Sequence, residues 1–136
     1  MATIITILVC ILALVMIFYV AGYRYYDLNS WSGVLMKWAD NNGVSRKRMP
    51  RYDEKTLLDI DELDLSLLEL QSLPEEICNL VKLQKLNLSD NNLKSLPEKI
   101  VTLKLKQLDL RGNGDLKLSK KQKEWVKEIK EFYLDD

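Results

Sequence analysis

The chain has 136 residues and no histidine, so imidazole bases, imidazole metal ligands and imidazole pH switches are all excluded. Of its two cysteines, Cys10 lies in an uncharged apolar stretch. Cys78 directly follows Ile77 among aliphatic neighbours, the setting of an inert thiol. Carboxylates crowd at Asp61, Glu62 and Asp64, but in an extended chain Asp61 and Glu62 point to opposite sides, and no calcium-loop glycine accompanies them. These residues imply no enzyme chemistry, no cofactor, no metal and no small-molecule substrate. What they offer is polar side chains at regular spacing, the chemistry of a binding surface: Asp61, Glu62, Asp64 and Ser66, then Gln84, Lys85, Asn87 and Ser89, then Lys106, Gln107, Asp109 and Arg111.

The elements that must position these groups are set by leucines. Leu83, Leu86, Leu88, Asn91 and Leu93 spell L-x-x-L-x-L-x-x-N-x-L, and Leu96, Pro97, Ile100 and Leu103 complete the unit. The pattern stands 23 residues earlier at Ile60, Leu63, Leu65, Leu70, Leu73, Pro74, Ile77 and Leu80. It stands again 22 residues later at Leu105, Leu108, Leu110 and Asn113. A fixed period of this length signals a solenoid. The alternative, a coiled coil built on the seven-residue steps Leu63–Leu70–Ile77 and Leu86–Leu93–Ile100, fails because the two runs are out of phase. Pro74 and Pro97 would also break its helix.

Each x-L-x-L-x is a short strand with alternate side chains on opposite faces. Asn91 and Asn113 supply polar groups for backbone buried where the chain leaves the strand. Leu68 stands at this place in the first unit, and Asp115 replaces an expected leucine in the third. Over residues 60–118 the chain resembles the leucine-rich repeat family, in its class of about 23 residues with a Leu-Pro pair and a following Ile. The resemblance implies an α/β solenoid of parallel strands, about 2.5 to 3 repeats long. It also implies protein–protein binding through the twelve strand-face residues named above.

Residues 3–23 carry no charge, and about 20 residues of helix cross a bilayer core. The stretch predicts one transmembrane helix rather than a cleaved signal peptide, since no basic segment precedes it. Arg24, Lys37, Arg46, Lys47, Arg48 and Arg51 all follow it, so the positive-inside rule places the repeats in the cytoplasm and the amino terminus outside.

Residues 24–51 read as a juxtamembrane interfacial segment and basic linker. Tyr23, Tyr25, Tyr26, Trp31 and Trp38 suit the membrane–water boundary, and Leu28, Trp31, Leu35 and Trp38 share one helical face. That face fits a membrane surface, and alternatively a neighbouring subunit or the protein's own repeats. The basic residues from Arg46 to Arg51 suit topology and anionic headgroups better than nucleic acid.

Residues 52–118 comprise the repeats, entered through a short cap near Leu57. Residues 119–136 predict a capping helix over about 120–133 and a tail. Ser119 and Gln122 form a capping box, and Trp125, Val126, Ile129, Phe132 and Tyr133 fall on one side to cover the last repeat. Charge is segregated: nine acids against one lysine over 53–76, then thirteen cations against six acids over 82–130, an arrangement that can steer a partner. The expected activity is that of a single-pass membrane adaptor or accessory subunit of a larger complex, docking a protein through the strand face. Lateral regulation through the transmembrane helix and surface or periplasmic recognition are the alternatives.

Overall fold

The computed structural model describes residues 27, 29–50 and 53–135, so the expected transmembrane helix and Tyr23, Tyr25 and Tyr26 lie outside the described residues. Four short strands, β1 Glu62–Asp64, β2 Lys85–Asn87, β3 Gln107–Asp109 and β4 Glu131–Tyr133, form one sheet in chain order. All neighbours are parallel, with Leu63, Leu86, Leu108 and Phe132 in register. Each coil thus returns to the same height, and the leucines alternate inward because a strand alternates its faces. Leu63, Leu65, Leu86, Leu88, Leu108 and Leu110 are all buried.

In the first two coils the return leg begins at a Leu-Pro pair. Pro74 and Pro97, with φ of −74° and −54°, precede 3-10 turns at Glu75–Asn79 and Glu98–Thr102. Their fixed φ and missing N–H suit a position where no backbone donor is required. Ile77 and Ile100 from these turns are fully buried.

The buried asparagines close the outward turns. Asn91 Oδ1 accepts from Leu68 N and Leu70 N at 3.2 and 3.0 Å, while its Nδ2 donates to the carbonyls of Leu65, Leu88 and Ser89. Asn113 accepts from Leu93 N and donates to the carbonyls of Leu88, Leu110 and Arg111. Each asparagine therefore serves the preceding coil as well as its own. This is why the first coil tolerates Leu68, half-buried against the core, at its own asparagine position.

Four residues after each inward strand leucine the backbone turns left-handed, at Leu67 (φ 56°), Asp90 (54°) and Gly112 (70°). At Gly112 a Cβ would lie 2.4 Å from Asp90 Oδ1 and 2.9 Å from Asp90 Cα, so stacking on the preceding turn requires glycine there.

The segment expected to be an interfacial helix and exposed linker packs in large part against the repeat core, while Ser45, Arg46 and Lys47 within it are exposed. Helix α1, Trp31–Asn41, starts at Ser30, whose Oγ accepts from Gly33 N. Leu35 has no exposed surface, Trp31 and Trp38 are half-buried against the core, and Val44 and Met49 are buried. On the face of Trp31, Leu35 and Trp38, Leu35 is thus turned into the protein, as the alternative of packing on its own repeats expects, and the two tryptophans keep part of their surface exposed. Apolar spacing alone does not distinguish lipid from leucine as its neighbour.

Helix α2, Glu54–Leu58, is capped by Asp53, whose Oδ1 accepts from Thr56 N at 2.7 Å. Ser32 Oγ donates to Glu54 Oε2 at 3.1 Å, tying α1 to α2. No described helix is long and apolar enough to cross a membrane.

The carboxy-terminal capping helix also requires correction. Helix α3 spans Lys120–Trp125 and runs into a 3-10 turn at Val126–Glu128, and the chain then extends as β4. The capping box forms as expected, with Ser119 Oγ accepting from Gln122 N and Gln122 Oε1 from Ser119 N. Ile129 and Phe132 repeat the Leu105 and Leu108 spacing, and β4 takes the β3 hydrogen bonds that a helix would leave open: Glu131 N donates to Lys106 O, and Leu110 N to Tyr133 O. Gln122, almost wholly buried, donates to the carbonyls of Leu96 and Pro97. Trp125 Nε1 donates to Leu103 O at 3.1 Å.

Candidate functional site: the strand face

The outward positions of the sheet form rows across the coils. One row is Glu62, Lys85, Gln107 and Glu131; the next is Asp64, Asn87, Asp109 and Tyr133. β4 thus adds Glu131 and Tyr133 to the face. The signal for them was the alternation of Glu131 and Tyr133 around Phe132, which a helical reading hides.

Asp61, Gln84 and Lys106 do not join these rows. They stand before the strands and line, with Val81, Lys82 and Lys104, a separate open groove. Ser66 and Asp109 are buried, and Asn87, Ser89 and Gln107 are half-buried. The twelve residues expected to share one binding face therefore divide by location and by exposure.

The second row has a structural task in every coil. Asp64 Oδ1 accepts from Ser66 N at 2.9 Å, Asn87 Oδ1 from Ser89 N at 3.0 Å, and Asp109 Oδ1 from Arg111 N at 3.1 Å. Each is an Asx turn that bends the chain out of its strand. The row ends are charge-matched. Arg48, expected in a linker, donates to Ser66 O at 2.5 Å and lies 3.8 Å from Asp64. Arg111 grips both oxygens of Asp109, at 3.0 and 2.6 Å, and sits over the Tyr133 ring, 5.0 Å from its centroid, a cation–π arrangement.

The hydrogen bonds and charge of Arg111 hold the Asp109 carboxyl below the usual range against the opposing effect of burial. At Asp64, burial pushes upward, but the Ser66 hydroxyl and amide and the Arg48 charge together leave the carboxyl lowered.

The segregated charges of the sequence become pairs between coils. Lys82 bonds Asp59 at 2.6 Å, Lys85 bonds Glu62, and Lys99 bonds Glu75 at 2.8 Å. Acidic first coil meets basic second coil, so part of the expected dipole is neutralised locally. These exposed, solvent-screened pairs contribute little to stability.

Burial and the neighbouring Glu75 push the Cys78 thiol up to about 11, so it is protonated at neutral pH. Among the described residues no group of three His, Cys, Asp or Glu is placed to hold a metal. The chain matches no family model and no curated protein.

Proposed function

We propose that the chain is a membrane-anchored protein-interaction module, an adaptor or accessory subunit that docks a protein partner on its strand face. The observation that carries this is the open, in-register surface of Glu62, Lys85, Gln107, Glu131 and Tyr133, whose exposed and half-buried polar and aromatic groups stand on rigid strands. Such a surface suits recognition by many small contacts rather than enclosure of a substrate. The leucine periodicity and its resemblance to the leucine-rich repeat family support the same reading, and the uncharged residues 3–23 support the anchor.

The test is purification from the native membrane in mild detergent, followed by crosslinking mass spectrometry. Crosslinks from Lys85 to one stoichiometric protein, and loss of that protein from the purified complex in a Lys85→Glu/Tyr133→Ala variant that keeps its circular dichroism, are the expected result. Crosslinks confined to the region of Lys37 would move the working surface to the membrane side and overturn the assignment.

A further inference from the structure

The carboxy-terminal end of the stack combines two unfinished features. First, β4 is an edge: Glu131 and Tyr133 spend main-chain groups on β3, so by alternation those of Phe132 face outward, toward no described strand. Second, an open groove beside β4 is floored by Leu118, Val126, Phe132 and Leu134. Leu134 is 43 % exposed.

The charged groups lining this groove are Lys117, Lys123 and Lys127, with no acid among them. Lys127 is engaged by Glu124 at 2.9 Å, whereas Lys117 and Lys123 make no ion pair among the described residues. The outward N–H and C=O of Phe132, an apolar floor and a cationic rim together match an extended peptide with apolar side chains on one face and carboxylates beside them. A second copy fits poorly, because joining the two edges would bring both sets of three lysines together. An anionic lipid would answer the lysines but leave the β4 amide and carbonyl unpaired.

We infer that the β4 edge receives an acidic, extended segment of a protein partner as a fifth strand. This surface is separate from the strand face, so either can fail while the other stands.

The test uses the full chain in detergent and a library of synthetic heptapeptides alternating Asp or Glu with Val, Ile, Leu or Phe. A matching library carries Lys in place of the acids. The expected result is binding of acidic members only, with slowed amide exchange at Phe132. Affinity should fall at least tenfold in Lys117→Glu/Lys123→Glu/Lys127→Glu and stay unchanged in Lys85→Glu on the strand face.

Circular dichroism verifies that the triple variant is folded, and a Leu134→Ser variant, a change at an exposed site, should independently weaken binding several-fold. The inference is overturned if no acidic member binds, if both libraries bind equally, or if protection appears on β1–β3 and not on β4. Concentration-dependent dimers that protect Phe132 would assign the edge to a second copy. Binding of phosphatidylserine vesicles without any peptide binding would assign the groove to lipid. Either result also overturns it.

Discussion

At the amino-terminal end of the stack, α1, α2 and the segment between them lay Leu35, Met36, Ala39, Met49 and Leu57 over the first coil in one continuous core. At the carboxy-terminal end, α3 fills the return leg of the last coil, but β4 keeps its edge, and Tyr133 and Leu134 remain exposed. A solenoid must shield both ends of its core from water. Here one end is closed by apolar helix packing, and the other is defended by a three-residue strand and lysines, which discourage unwanted pairing without covering the surface. Closure and exposure are thus assigned to opposite ends.

The sharpest way to break this comparison is to place a carboxylate at each end. Leu35→Asp buries an uncompensated charge and should cost about 4 kcal/mol or more, enough to unfold the cap. Leu134→Asp should shift stability by no more than about 0.5 kcal/mol, as exposed sites do. Urea denaturation of the two variants measures both, and similar losses would show that the carboxy-terminal end is as closed as the other.

The next effect concerns the turns between the ends. Gly112→Ala forces a Cβ against Asp90 at a left-handed position and should cost about 2 kcal/mol. Leu67 holds the same place in the first coil with 71 % of its surface exposed. There Leu67→Gly should raise stability by about 0.5 kcal/mol by relieving left-handed strain. Opposite signs in urea midpoints, with the larger change at Gly112, would confirm that both turns demand a left-handed residue.

Removing a single polar contact from the far end gives a smaller change. Trp125→Phe leaves Leu103 O without its donor while keeping most of the ring, and about 1 to 2 kcal/mol should be lost.

The smallest effect is electrostatic. Asp64 near the covered end and Asp109 near the open end both have lowered carboxyl pKa values. A lowered folded-state value means the unfolded chain binds protons first, so their stabilisation is present above the ordinary Asp value near 4 and lost as pH falls through the folded value. Urea midpoints should decline below about pH 4, and Asp109→Asn should flatten that decline.

The coils themselves were legible because their information is local and repeated. Ile60, Leu63 and Leu65, then Leu83, Leu86 and Leu88, state register directly, and Asn91 announces the buried turn. The two ends were not, because each depends on what an apolar face meets rather than on the face itself. Trp31, Leu35 and Trp38 have the same spacing whether they cover lipid or Leu57. Trp125, Val126, Ile129 and Phe132 satisfy a helical period and also the Ile129-x-x-Phe132 step of another coil. The strand face was recognisable as a set of positions, but not its division, since Asp61, Gln84 and Lys106 stand one residue before Glu62, Lys85 and Gln107, where the strands begin. Arg48 lay in a basic run, where no local pattern points to Asp64.

The placement of the asparagines gives the stack a direction in time. Asn91 receives amides from Leu68 and Leu70, and Asn113 receives one from Leu93, so each turn is completed by a side chain 20 to 23 residues further along. A ribosome working from the amino terminus at roughly 5–20 residues per second therefore releases every turn a second or more before the group that closes it. During synthesis the newest coil is always the incomplete one, and the chain settles behind its own growing end.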